Sequence, residues 1–222
     1  MAKAAQKAYE LVRDRIISGA YPPASRLTEQ EIADASGVSR TPVREALQRL
    51  QNEGFVRVAA NQGAMVVDCS DSEAADVFEL RALLEPYGAA RAAERITAEG
   101  IAELEALAQA QYEACKRREP GYMARVGELN SHFHRRLHEF ADNPRLAMLM
   151  PMLIEAPLVM RTFTQYDPAE LLRSAAHHLE IVSALKARNP DWAASIMLSH
   201  IHAAQSIRQR AHRRAAAGDA PA

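Results

Sequence analysis

Cysteine is scarce in this chain: Cys69 and Cys115 are the two in 222 residues. They stand too far apart for a CxxC element and are too few for a disulfide framework, so free thiols are expected. No apolar run reaches the roughly 18 residues that cross a bilayer, and the N-terminus lacks a signal-peptide apolar core. A cytoplasmic protein is expected. Net charge is also nearly absent, with 27 Lys and Arg against 28 Asp and Glu, so no global polycation speaks for nucleic acid. Neither a Ser/His/Asp nor a Cys/His nucleophile arrangement is visible, and an enzyme is not expected. Beyond about residue 70 there is no alternating strand pattern and no internal repeat.

What is present is ordinary soluble-protein usage, 48% hydrophobic and 25% charged, in a length that suits one large or two small domains. The charge becomes informative locally. Arg40, Arg44, Arg49 and Arg57 face only Glu45 and Glu53 within residues 40–57, a basic concentration of the kind that meets nucleic acid.

That stretch is also the best-punctuated part of the chain. Residues 5–18 read as a first helix, with Ala8, Leu11, Val12 and Ile16 at helical spacing and Gly19 and Pro22-Pro23 as its stop. Thr28-Glu29-Gln30-Glu31 has capping-box spacing, and Gly37 can take the positive φ that ends a helix. A next helix is predicted to start with Thr41 as N-cap and Pro42 at its first position. Its Val43, Ala46, Leu47 and Leu50 form one buried stripe, Arg44 and Gln48 share another face, and Arg40 lies at the turn. Two helices around a Gly-containing turn make a helix-turn-helix. Residues 55–58 and 64–67 then read as strands around 59–63, completing a winged helix-turn-helix.

These residues carry a resemblance. Ile16-Ile17-Ser18-Gly19, Pro23, Leu27-Thr28-Glu29, Ile32-Ala33, the run from Gly37 to Leu47, Leu50 and Glu53-Gly54 look like the N-terminal domain of GntR-family bacterial transcription regulators. One departure is Pro23-Ala24 where the family often has Pro-Gly. The resemblance implies a DNA reader. Arg40 and Arg44 are then the base-reading candidates, Ser39 and Thr41 hold phosphates, Gln48 shares the reading face, and the wing near Gly63 touches the adjacent groove.

The remainder reads as helices: 72–95 (bent near Pro86), 98–118, 121–141, 144–165, 168–188 and 190–213. Ser70-Asp71-Ser72-Glu73 is a second capping box. The expected organisation is thus a mainly α protein, with residues 1–69 a winged helix-turn-helix, 70–213 an all-α antiparallel helical bundle and 214–222 a disordered tail. Met148, Met150, Met152 and Met160 read as adaptable core filling.

The bundle has a looser resemblance of its own. Glu79-Leu80-Arg81 with Leu84-Glu85, Asn130, Phe133-His134, Asn143, His178, Ile181, Met197 and His200 look like the ligand-sensing domain of the FadR-type (FCD) subgroup of GntR regulators. That subgroup commonly holds a divalent metal by an Asp and three His and senses a small carboxylate. The resemblance implies His134, His178 and His200 as ligands of Zn or Ni, with Asn130 in place of the Asp and a weaker donor.

The residues support this independently. Asn130 and His134 share a helix face at i and i+4, and His178 and His200 come from two further helices, flanked by apolar Ile181, Leu185, Ile196 and Met197. His134 with His138 is an alternative HxxxH pair on one helix. His132, His138, His177, His202 and His212 read more simply as solvent-facing or core-edge residues. Arg81 has two readings, an ion-pair partner of Glu85 at i+4 and an anchor for an effector carboxylate.

The expected function is a homodimeric repressor of metabolic genes on an inverted-repeat operator, since one recognition helix reads too few base pairs alone, controlled by a small organic acid. The alternative is a helical metal sensor or metalloenzyme that carries a DNA-binding module.

Overall fold

The computed structural model describes residues 3–59, 63–67, 71–154, 162 and 165–217. The described residues fall into two compact units, one reaching Asp71 and one starting at Ser72.

The first unit contains α1 (Lys3–Ile17), β1 (Arg26–Leu27), α2 (Glu29–Ser36), α3 (Arg40–Asn52), β2 (Val56–Ala59) and β3 (Gly63–Val66). α2 starts where the sequence marks it. Thr28 Oγ1 accepts from the Glu31 amide and the Glu31 carboxylate accepts from the Thr28 amide, so two otherwise unpaired N–H groups are satisfied. Gly37 ends the helix with φ 65°. α3 begins earlier than expected: Ser39, not Thr41, has the extended backbone of the N-cap, and its side chain makes no capping bond. Pro42 is therefore the third helical residue, still in the first turn where an N–H has no intrahelical acceptor to lose.

The buried stripe of α3, Val43, Ala46, Leu47 and Leu50, joins Ala8, Val12 and Ile16 of α1, Ile32 of α2, Phe55, Val56, Ala64 and Val66 in one core. Each fully buried Val, Leu, Ile or Phe side chain of this set stabilises the unit by about 1.5–3 kcal/mol. The hairpin runs in register Val56↔Val66 to Ala59↔Gly63, one residue off the expected bounds. Sequence reading misses β1, which pairs with β3 to give the order β1-β3-β2. Two residues are too short to show a period. β1 explains Gly63: at φ 81° a Cβ there would lie 2.3 Å from the Leu27 carbonyl oxygen, so no other residue fits beside β1.

The second unit is all-helical: α4 (Asp71–Arg95), α5 (Ala98–Arg117), α6 (Tyr122–Phe140), α7 (Pro144–Ile154), α8 (Pro168–Lys186) and α9 (Pro190–Ala216). Its helix starts are chemically marked. Thr97 Oγ1 accepts from the Gly100 amide, Asp167 and Glu170 form a capping box ahead of Pro168, and Asn143 Oδ1 accepts from the Arg145 and Leu146 amides. α5 packs on α6 and α8, α6 on α7, and α8 on α9. Its core includes Leu104, Ala108, Phe133, Leu137, Ile181, Leu185, Met197 and Ile201.

Three expectations change here. The predicted helix 144–165 is described as helix to Ile154, and residues 155–161 lie outside the described ones. Of Met148, Met150 and Met152, only Met150 fills the core, on the i, i+4, i+8 stripe Leu146, Met150, Ile154; Met148 and Met152 point outward at 60% and 73% exposure, because they fall on the opposite side of α7. The tail expected from residue 214 begins later, because α9 continues to Ala216; Met160, Cys69, the linker at 68–70 with its Ser70 cap, and residues 218–222 lie outside the described residues. Among the described residues no helix is long and apolar enough to cross a membrane.

Candidate functional site

Burying Val43, Ala46, Leu47 and Leu50 turns Arg40, Thr41, Arg44 and Gln48 of α3 outward, with Ser39 exposed at its start. Arg40 and Arg44 stand one turn apart and both meet Glu29 at the start of α2. Glu29 Oε2 accepts from Arg40 Nε at 3.0 Å and Nη2 at 2.8 Å, and Oε1 accepts from Arg44 Nε at 2.8 Å. The Arg44 hydrogen bond, with that of Arg40, holds the Glu29 carboxyl below the usual carboxylate range against its partial desolvation. Arg49, on the other side of α3, is structural: its Nε donates to Glu53 Oε1 at 2.7 Å and its guanidinium lies 3.7 Å from the Tyr9 ring centroid.

The second constellation is buried. α6 turns Asn130, Phe133, His134, Leu137 and His138 inward, α8 contributes His178 and α9 His200. One ligand atom from each of His134, His178 and His200 lies within 4.8 Å of the other two. Phe133 stacks on His178 with ring centroids 4.2 Å apart and planes 9° from parallel, which fixes that ring.

Partners behind the rings fix their tautomers. His134 Nδ1 is bonded to Glu85 Oε2, and His178 Nδ1 lies 2.5 Å from Gln111 Oε1. Each of those oxygens accepts, so each histidine carries its proton on Nδ1 and turns a bare Nε2 inward. The two Nε2 atoms are 3.2 Å apart. Burial, the largest influence on all three histidines, holds their pKa values below the usual range, well below for His178 and His200. They are neutral donors at neutral pH.

Two lone pairs facing each other at this spacing repel unless a cation lies between them. Tetrahedral nitrogen ligands of zinc, each roughly 2.0–2.1 Å from the ion, stand about 3.3 Å apart. Two more buried atoms, Asn130 Oδ1 one helical turn before His134 and His200 Nδ1, have no hydrogen-bond partner among the described residues. The donor set therefore fits a borderline divalent cation.

Three further residues belong to this centre: Glu85, which sequence reading paired only with Arg81, His138, which it set at the surface or core edge with an HxxxH pairing as the alternative, and Gln111, which it missed. Glu85, fully buried, accepts from Arg81 Nε at 2.6 Å as well as from His134, so the ion-pair reading of Arg81 is realised. Burial opposes the Glu85 charge, but Arg81 and His134 outweigh it and keep the carboxyl well below its usual range. His138 is a correction: expected at the surface or core edge, it is buried, with Nε2 3.3 Å from Glu85 Oε2 and its ring against Gly88, where a Cβ would meet His138 Nδ1 at 2.2 Å. The i, i+4 spacing from inward-facing His134 was the signal. Gln111 had a signal too, as a polar residue on the apolar stripe Leu104, Ala108, Cys115 of α5. His132, His202 and His212 are exposed and His177 is half-buried, as expected.

Residues 4–66 match the bacterial regulatory proteins of the gntR family and residues 76–203 match the FCD domain. The chain belongs to the GntR family. It is 34% identical over 185 residues to the Nta operon transcriptional regulator of Aminobacter aminovorans, covering 83% of this chain and 85% of that protein. With the HTH-type transcriptional repressor RspR of Escherichia coli it shares 30% identity over 209 residues, 92% of this chain and 89% of the relative. The solved structure of E. coli McbR/YncC has the same fold, with a TM-score of 0.77 at 23% identity over 96% of this chain and all of that one. This GntR protein is a DNA-binding transcriptional regulator with an FCD domain.

Proposed function

We propose that this GntR regulator is a cytoplasmic, homodimeric repressor of metabolic genes, released or engaged by a small organic acid bound beside a divalent metal in the helical unit. The observation that carries the sensor half is the pair of bare imidazole nitrogens facing each other at 3.2 Å, each fixed from behind by a hydrogen-bond acceptor. His134, His178 and His200 would hold Zn2+ or Ni2+, with Asn130 Oδ1 as a weak fourth donor. When bound, the metal supplies a fixed positive charge and open positions for an anion.

Charge balance argues for the anion. The Arg81–Glu85 pair is neutral overall, and the four donors are uncharged, so a divalent cation here leaves its charge uncompensated in a dry interior. A carboxylate effector provides the compensation. Arg81 is close enough for its charge to lower the His134 and His200 pKa values, and its outer guanidinium nitrogens would meet the effector's second oxygen. Such a ligand changes DNA occupancy only by its differential affinity for DNA-competent and incompetent states.

On the DNA side, Arg40 and Arg44 would read bases, Gln48 would lie along the same groove, and Ser39, Thr41 and the wing near Gly63 would meet the backbone or adjacent groove. Two-fold symmetry would make the operator an inverted repeat. Leu80, Leu83 and Tyr87 lie exposed along one side of α4, at 47%, 71% and 46%, and support association of two copies. That the E. coli relative RspR is a transcriptional repressor supports the repressor sign.

The test is titration of chelator-stripped protein with Zn2+ and Ni2+ by calorimetry, then thermal shift with a carboxylate panel. One metal per chain is expected, with His178→Ala losing metal and carboxylate response together while the apo form still binds DNA. A His134, His178, His200 triple alanine variant with an unchanged carboxylate response would return these histidines to the core.

A further inference from the structure

The Glu29 carboxylate stands between the two arginines assigned to DNA reading, and nothing in that assignment gives it a role. It belongs to α2, the arginines to α3, so the contact ties together the two helices of the helix-turn-helix through their exposed face. Glu29 is largely covered, with its side chain 20% exposed, while Arg40 and Arg44 remain 58% and 62% exposed. The geometry is asymmetric. Arg40 gives Glu29 its side-on edge, Nε and Nη2 to the same oxygen; Arg44 gives only Nε, to the other oxygen.

A guanidinium reads guanine by presenting two N–H groups to O6 and N7 at once. With Nε of Arg44 engaged at 2.8 Å, the guanidinium is restrained on the exposed side of α3, and this contact leaves its Nη1 and Nη2 groups unused. Arg40, engaged through its Nε–Nη2 edge, is left with Nη1 for a phosphate or a second base. We propose that Glu29 is a positioning residue of the DNA interface: it aims Arg44 for two-pronged guanine reading, and its negative charge restrains both arginines from indiscriminate phosphate binding. Specificity then arises from a carboxylate that itself touches no base. The inference rests on Arg44 being a base reader.

Two consequences separate this role from a helix-start acid. Removing the charge adds one net positive group at the interface, so binding to unrelated duplex should strengthen and its dependence on log salt should steepen by about 0.9. Freeing the Arg44 guanidinium should weaken preference for the right base, since a guanidinium with no fixed orientation meets phosphates as readily as O6 and N7.

The experiment uses the full chain. A pool of random duplexes is selected on wild-type protein, and affinities for the selected duplex and a scrambled one are measured over a salt series for wild type, Glu29→Gln, Glu29→Asp and Arg44→Ala, with circular dichroism to show each is folded. For Glu29→Gln the selected-to-scrambled ratio should fall about tenfold, mainly through tighter scrambled binding with the steeper salt slope. Glu29→Asp should keep the wild-type slope, because the charge stays, yet lose part of the ratio, because the shorter acid cannot reach both arginines. If Arg44→Ala loses the preference while Glu29→Gln keeps both ratio and slope, the proposal is overturned and base reading by Arg44 stands. If Arg44→Ala keeps the preference, the base-reader assignment fails, and the proposal fails with it.

Discussion

Two Arg–Glu pairs of nearly equal length have opposite surroundings. Arg81–Glu85 in the helical unit closes at 2.6 Å with side chains 3% and 0% exposed, and Arg44–Glu29 in the DNA-binding unit closes at 2.8 Å with side chains 62% and 20% exposed. In water the attraction is screened and worth at most about 1 kcal/mol. In the dry interior each charge depends on its partner, because an ion left alone there has lost its hydration. The exposed pair can exchange its carboxylate for another anion at little cost. The buried one cannot, and Glu85 also carries His134, so the same pair that satisfies a buried guanidinium orients a candidate ligand. Reading DNA calls for the first arrangement and holding an ion in place calls for the second.

The sharpest way to break this comparison is to cut both pairs identically. Glu85→Ala should destabilise the protein by about 3–5 kcal/mol, leaving Arg81 buried and unpaired and His134 without its acceptor. Glu29→Ala should cost less than about 1 kcal/mol. Urea midpoints of the two variants decide it, and equal shifts would show that burial is not what separates the pairs.

Next in size is a substitution that should change recognition while sparing stability. Arg44→Ala is expected to remove about 1–3 kcal/mol of base discrimination, read as the selected-to-scrambled affinity ratio at matched salt. The melting temperature should barely move, because Arg44 contributes nothing to the core of α3. A cooperative loss of stability in this variant would mean that the exposed face is doing structural duty after all.

Gln111→Ala probes the opposite region with a comparable effect. Gln111 meets His178 from behind at 2.5 Å and would not touch the metal, so its removal frees the His178 tautomer and ring without deleting a donor. Metal affinity is expected to fall about 10–100-fold, while the apo form's DNA affinity stays as in wild type. Isothermal titration with Zn2+ checks the first and a gel shift the second; undiminished zinc affinity would remove Gln111 from the site.

The two regions also differed in how much the sequence disclosed. The DNA-binding unit is written in local punctuation: the Thr28 capping box, the Gly37 stop and the α3 stripe all act within a few residues of where they are read, and all are found in place. What escaped there was β1, defined only by pairing with a distant strand, and the Glu29 contact, which joins residues 11 and 15 apart. In the bundle, the helix starts expected at 98 and 168 are found in place, and the structure shows local caps there at Thr97 and Asp167. The histidine centre was assembled from α6, α8 and α9, so family resemblance and apolar neighbours could nominate its residues, but the periodicity of each helix gave only its inward face. Glu85 was read only as a partner of Arg81, and Gln111 went unremarked, because a buried polar residue gains its full meaning only when its partner, 49 or 67 residues away, is known.

The smallest expected effect tests whether that local punctuation is equivalent in both regions. Thr28 caps α2 and Thr97 caps α5, each accepting a backbone N–H three residues on, at 3.2 Å and 3.1 Å. Alanine at either position should cost about 1 kcal/mol, since the same orphaned donor is exposed in each case. Their functional effects should differ. α2 begins with Glu29, so loosening its first turn in Thr28→Ala moves the carboxylate that holds Arg40 and Arg44, and selectivity between the selected and scrambled duplexes should drop by a few fold. Thr97→Ala frays a helix start whose first turn, Ala98 to Ile101, contributes no histidine, Glu85 or Gln111 to the buried centre, so zinc affinity and DNA selectivity should both stay at wild-type values. Matched stability losses with DNA selectivity changed only by Thr28→Ala would show that the cap at α2 is coupled to the reading face through Glu29; unchanged selectivity in both would limit each cap to holding its own helix.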